Sequence, residues 1–311
     1  MATMKTLNGY GFNATELNGK AASDYLQKTD TATNSAKLGG KAPEYYIQPR
    51  NLLDNSDFRN PVNQRGATSY SGIWVYSIDR WVTWLDTSNS ATVSVINGGI
   101  TPYPGMVIQR IESKHIDSSK IYTLAAMTGD GLLVLSGKIT STSKGSTNAN
   151  NGIYFEYNAD NDVYQFTLAG LTSASKFVWA ALYEGSYTTE TLPPYVPKGY
   201  AMELAECQRY YRKSYVGSSI PTFADGGVVT LRPANTNWLC TVVFDKPMRI
   251  APTVTVYSAA SKAAGKVTRF SDDADIDVTI LEDENGFCCL KESAFDANLA
   301  YQFSYTASAD L

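Results

Sequence analysis

The sequence predicts a mostly β protein: an N-terminal extended or helical repeat segment, a β jelly roll, one short helix and a C-terminal β-sandwich. Three observations carry this reading. The chain is 12% aromatic, with 21 Tyr, 11 Phe and 5 Trp, and aromatic and β-branched residues fit a pleated, half-buried surface. Charged residues make up only 18%, below the roughly 25% of an average soluble protein, and Ser, Thr, Asn and Gly fill the gap. Short β-branched and aromatic runs recur along the chain, separated by Gly, Asn, Asp and Pro, as strands of a sandwich or jelly roll are. At 311 residues the chain is long for one average domain and suits two.

The first segment, residues 1–48, contains a repeat. Residues 17–26 (LNGKAASDYL) align with residues 38–47 (LGGKAPEYYI), and residues 7–10 (LNGY) are a weaker echo. Repeat units cannot bury an apolar face alone, and two copies are too few for a self-supporting solenoid. The spaced Leu, Ala and Tyr residues favour ordering against the same segment of another chain over a polar tether. Gln48-Pro49-Arg50 is a natural break.

Residues 51–197 form the jelly roll. Its strand-like runs are residues 91–96, 105–111, 132–139, 152–157, 163–168 and 176–183, and residues 141–151 read as a mobile hairpin loop. Residues 192–199 are Pro-rich and mark a second hinge. In the last segment, residues 198–311, helical composition runs from Ala201 to Tyr211, with Leu204, Cys207, Gln208 and Tyr211 on one stripe. Strand-like runs then resume at residues 227–231, 238–244, 253–257, 275–281, 286–290 and 300–305, several alternating polar and apolar.

Charge and chemistry exclude several function classes. Lys and Arg total 26 against 30 Asp and Glu, a formal charge of −4, and the cations are scattered, so a nucleic-acid partner is not expected. His115, the one histidine, cannot build a multi-histidine metal site and lies in no nucleophile-elbow pattern; it reads as a surface or loop residue. Cys207, Cys240, Cys288 and Cys289 have no C-x-x-C spacing and read as free thiols in a reducing cytoplasm. Cys288 and Cys289, being adjacent, should face opposite sides of a strand. The start of the sequence has no apolar signal region, and no apolar run approaches 18 residues; synthesis in the cytoplasm without membrane insertion is expected. Residues 271–277 (SDDADID) could hold calcium by charge alone but lack the EF-hand glycine and glutamate, so a solvated turn is expected. No paired carboxylates stand out by motif. The chain is read as a non-enzyme without cofactor or metal.

Several motifs resemble those of tail-fibre or receptor-binding proteins of tailed bacteriophages and prophages. The two N-terminal copies resemble a tail-fibre repeat. Residues 51–58 (NLLDNSDF), 61–66 (PVNQRG) and 79–81 (DRW) resemble the opening of phage carbohydrate-binding-like jelly rolls. Residues 203–211 (ELAECQRYY) are similar to a segment that precedes the C-terminal module of such fibres, and residues 251–257 and 305–311 fit that module. The resemblance implies a homotrimer located in the virion, attached through residues 1–48 to tail or baseplate proteins, that recognises a glycan or protein of the bacterial surface. A structural spacer and a polysaccharide-degrading spike are the alternatives.

Sugar sites combine an aromatic face, which covers the sugar's C–H groups, with amide, hydroxyl or carboxylate groups that fix orientation. In the jelly roll, Tyr70, Trp74 and Tyr76 are candidates, with Trp74 and Tyr76 two apart on one strand face; core packing is the competing reading. Trp81 is expected in the core. Tyr103, between Pro102 and Pro104, is a loop aromatic and a further candidate. In the C-terminal module the candidates are Asn235 and Trp238, beside Phe223, Asp225 and Asn237, in or next to turns.

Overall fold

The computed structural model describes residues 16–17, 20–21, 49–85, 91–139, 142–147, 151–223, 227–232 and 236–311. The chain divides into two compact units. One comprises residues 1–49 and 191–194; its described strands are β1 (Glu16–Leu17) and β2 (Lys20–Ala21), an antiparallel pair. The remainder of the repeat segment lies outside the described residues. The other unit comprises residues 50–190 and 195–311. It is mostly β and contains two hydrophobic cores.

The first core lies inside a sandwich of jelly-roll class. Its strands are β3 (Ser69–Gly72), β4 (Trp81–Trp84), β5 (Ala91–Ile96), β6 (Gly99–Pro102), β7 (Gly105–Glu112), β8 (Tyr122–Thr128), β9 (Gly131–Gly137), β10 (Thr142–Thr147), β11 (Asn151–Asn158), β12 (Val163–Gly170) and β13 (Phe177–Glu184). One sheet has the order β10-β11-β12-β7-β4, the other β3-β5-β6-β13-β8-β9, and every pairing is antiparallel. The chain crosses between sheets after β3, β4, β6, β7, β9 and β12. Period-2 alternation sends Val107 and Ile111 of β7, Ile153 and Phe155 of β11, and Phe166 and Leu168 of β12 inward to meet Leu124 of β8 and Phe177 and Leu182 of β13. Trp81 is fully buried, with Phe58 edge-on at 5.3 Å. Part of the stretch expected to be a loop is strand β10: Thr142 pairs with Glu156, so this Ser/Thr-rich sequence is ordered by ladder bonds to β11 rather than by its own propensity.

The expected helix is shorter than its composition suggests. Helix α1 spans Tyr200–Cys207, and residues 211–213 are instead strand β14 (Tyr211–Lys213), paired with β22 (Leu299–Ser308). Competing donors take the carbonyls that would continue the helix. Arg249 N–H donates to Arg209 O at 2.8 Å, Ala309 N–H to Tyr210 O at 2.7 Å, and Arg212 Nε to Gln208 O at 2.8 Å. The inward residues are Glu203, Cys207 and Tyr210; of the expected stripe Cys207 is buried, whereas Leu204, Gln208 and Tyr211 are half-buried.

The second core lies between a sheet centred on β22 and a three-stranded sheet. The first comprises β14, β15 (Val228–Arg232), β17 (Thr253–Ser258), β18 (Lys266–Arg269), β19 (Ala274–Asp277) and β22. The second has the order β16 (Thr236–Val243), β21 (Gly286–Phe295), β20 (Thr279–Asp283). Cys289 and Phe287 of β21 point into this core with Phe303 and Tyr301 of β22. No described helix is long and apolar enough to cross a membrane.

A polar seam joins the two cores within this unit. Asn55 holds the loop before β3: its Nδ2 donates to Val62 O (2.8 Å) and Asp79 O (2.7 Å), and its Oδ1 accepts Val62 N–H (2.7 Å). Arg65 pairs with Asp79 (2.7 Å) and Asp310 (2.6 Å). Gln64 Nε2 donates to Tyr211 O at 2.8 Å. The motif residues at 51–66, 79–81, 203–211 and 305–311 therefore meet at one place, and much of their chemistry goes into holding the two cores together.

Candidate functional site: a tryptophan groove on the three-stranded sheet

Strand pairing in this sheet determines what its outer face presents. Cys240 faces Cys289 and Val242 faces Phe287 across the β16–β21 ladder, both on the core side. The register shifts between Trp238 and Cys240. This irregularity allows Trp238, paired with Leu290, to join Thr241 and Val243 on the outer face. On β21 the adjacent cysteines do face opposite sides: Cys289 joins the core and Cys288 floors the outer groove. Leu281 of β20 sits opposite Cys288, whose Sγ donates to Leu281 O at 3.6 Å. Burial pushes the Cys288 thiol above its ordinary range, and a hydrogen bond with Cys240, followed by burial, pushes Cys289 up.

The result is an open groove of about 390 Å³ lined by Trp238, Thr241, Val243, Leu281, Asp283 and Asn285, among others. Trp238 is 43% exposed, Leu281 56% and Val243 75%. Asp283 and Asn285 lie at the β20–β21 turn, which is tied by Asn285 N–H to Asp283 Oδ1 at 2.7 Å and by Phe244 N–H to Asn285 O at 2.8 Å. An indole and two aliphatic side chains thus form an apolar strip beside a carboxylate, an amide and a hydroxyl. That set can cover the C–H face of a pyranose and orient its hydroxyls. Among the described residues, no three His, Cys, Asp or Glu are grouped to hold a metal ion.

The other sequence candidates fall elsewhere. Tyr70 belongs to the jelly-roll core rather than to an exposed face. Its hydroxyl donates to Asn63 Oδ1 and accepts Ala67 N–H at 3.1 Å, so the polar end of a buried ring is satisfied by the neighbouring loop. Trp74 and Tyr76 do not share a strand face. β3 ends at Gly72, and Trp74 has φ +57°, a left-handed conformation that breaks the strand. Trp74 is exposed, but Arg110 lies 4.3 Å from its ring centroid and Trp84 6.2 Å away. Tyr76 is half-buried and donates its hydroxyl to Leu311 O, with Arg65 5.2 Å from its ring. Tyr103 is exposed in the short β6–β7 connection. Asn235 and Asp225 lie outside the described residues.

Of the six candidates, the groove contains Trp238. Val243, Leu281, Asp283 and Asn285 were not singled out from the sequence; the exposed aliphatic residues in β16 and β20 were the available signal. His115 is exposed on a short 3₁₀ turn. Residues 271–277 form a turn running into β19, with Asp272 paired to Arg269 at 2.7 Å and Asp277 to Lys266 at 2.7 Å. No protein-family model matches the sequence, and no curated protein or solved structure matches the chain.

Proposed function

We propose that the chain is a receptor-binding tail-fibre protein of a phage or prophage and that it recognises bacterial surface glycan, without catalysis, through the Trp238 groove. One observation carries the recognition part of this reading: Trp238 is held open on a sheet face beside Thr241, Asp283 and Asn285 in a groove of about 390 Å³, within the roughly 300–1,000 Å³ range of small-molecule sites. The fibre part rests on the sequence resemblance alone. It carries with it trimer formation, virion location and attachment of residues 1–48 to tail or baseplate proteins.

Shallow sugar sites are weak. A millimolar site is worth about −4 kcal/mol, and repetition of the site in a trimer raises apparent affinity without new contacts. The test is binding of the full chain to an array of purified bacterial surface polysaccharides, with its solution mass measured by light scattering. The reading expects retention on at least one polysaccharide with unchanged polymer length, and a mass of about 102 kDa for three chains of 33.9 kDa. A monomer that binds no polysaccharide contradicts it, and shortening of the polymer would replace it with a depolymerase.

A further inference from the structure

A second pocket, of about 210 Å³, lies in the seam between the two cores, and Arg50, Arg80, Glu112, His115, Arg209 and Tyr210 are among its lining residues. Its hydrogen bonding is incomplete at both signs of charge. Arg80 is 2% exposed. Its Nε donates to Asp54 at 3.1 Å and its Nη2 to Arg110 O at 2.9 Å, whereas Nη1 is buried without a partner among the described residues. Glu112 Oε1 is taken by Arg249 at 3.0 Å. Glu112 Oε2 is buried without a hydrogen bond to a described residue, and His115 Nε2 lies 3.7 Å away. Buried groups of this kind are nearly always satisfied by protein, water or ligand.

The rim and walls narrow the choice of occupant. Arg50 and Arg209 are exposed at the pocket and form no ion pair with a described residue, whereas the pocket's other carboxylates, Asp54 and Glu206, are both paired with Lys198. The free capacity at the rim is therefore cationic. Deeper in, one donor and one acceptor have no partner among the described residues, and Tyr210 lines the pocket with Arg80 stacked 3.4 Å from its ring centroid. A single water, with a share of about 30 Å³ of liquid volume, fills little of such a space. An occupant that completes the pocket needs an anionic group, hydroxyls that both donate and accept, and a compact carbon frame.

We propose that the seam pocket binds one acidic sugar unit, a hexuronate, with its carboxylate on Arg50 and Arg209 and its hydroxyls bridging Arg80 Nη1 and Glu112 Oε2. Charge-assisted bonds from guanidinium to carboxylate are the stronger kind and would give the pocket its preference for acidic over neutral sugars. The inference stands apart from the Trp238 groove and holds or fails without it.

The experiment is calorimetric titration of the full chain with sodium galacturonate, with galactose and sodium acetate as controls. Saturable galacturonate binding is expected, at least tenfold tighter than either control. Arg50→Ala and Arg209→Ala change exposed rim residues, so the fold should persist, as a thermal midpoint unchanged from the parent would show. Each should weaken galacturonate binding about tenfold, while Trp238→Ala leaves it unchanged. Acetate binding as tight as galacturonate would mean a simple anion site. Absence of saturable binding, or full affinity in both arginine variants, would also overturn the proposal. Loss of galacturonate binding in Trp238→Ala would move the acidic sugar to the groove.

Discussion

The backbone N–H of Asn55 donates to Glu203 Oε2 at 2.6 Å, joining the loop before the jelly roll to the inward face of α1. Glu203 is 5% exposed, and burial pushes its carboxyl up to about 7 against the pull of the Asn55 N–H and Lys198. Asp79, nearby in the seam, is pushed up to about 6 by burial, with Arg65 opposing. Both groups bind a proton more tightly folded than unfolded.

The sign of the pH dependence follows. Where the folded state holds the extra proton, stability falls as pH rises from the ordinary carboxylate range to the raised values. The thermal midpoint is therefore expected to be higher near pH 5 than near pH 7.5. Glu203→Gln should flatten the slope, most clearly between pH 6 and 7.5, with Asp79 retaining its share below. Carboxylates held below their ordinary range, such as Asp272 at about 2 beside Arg269, lose their stabilisation at still lower pH, outside this window. A midpoint that rises from pH 5 to 7.5 would contradict the assignment.

Asn55 should be among the least replaceable residues of the seam. Its side chain makes three buried hydrogen bonds, and its φ of +49° is one that Asn tolerates better than most residues. Leaving a buried partner unsatisfied costs about 1–3 kcal/mol. Asn55→Ala is expected to destabilise by about 3 kcal/mol or more in urea denaturation. Asn55→Gly, which loses the same bonds but accepts the left-handed backbone, should do less harm. Equal stability of the parent and Asn55→Ala would refute this role.

Arg65 ties Asp79 to Asp310 across the seam. Removing one partner of a buried ion pair typically costs about 3–5 kcal/mol, and here two carboxylates would be stranded. In calorimetry the parent should unfold residues 50–190 and 195–311 in one transition. Arg65→Ala is expected to lower that midpoint and split the transition into two, one for each core. A single unshifted transition in the variant would show that the seam does not couple the cores.

Much of the architecture was legible in the chain because strand composition and spacing are local signals. Trp81 is expected in the core because a jelly roll needs large inward residues, and the structure buries it with its Nε1 donating to Asn55 O at 2.9 Å. What failed were features decided by tertiary partners. Tyr70 is buried because Asn63 satisfies its hydroxyl. The left-handed φ of Trp74 separates it from Tyr76, which no period-2 count anticipates. Helix α1 turns inward through Glu203, a residue whose charge argues for solvent until Asn55 and Lys198 are placed beside it. The groove was half visible: Trp238 announced itself as an aromatic near turns, but Asp283 and Asn285 reach it only because β20 and β16 flank the same strand, a pairing with no local signature.

The most direct test of the recognition claim is a paired comparison of two exposed tryptophans. Adsorption of the fluorescently labelled full chain to a panel of bacterial cells should be measured for the parent, Trp238→Ala and Trp74→Ala, with thermal midpoints confirming that each is folded. Losing an aromatic stacking face of about 1 kcal/mol or more at every copy of the site should reduce retention by tenfold or more for Trp238→Ala, while Trp74→Ala, whose ring is already occupied by Arg110, binds like the parent. Retention of Trp238→Ala equal to the parent on a strain that the parent binds would contradict the groove as the receptor site.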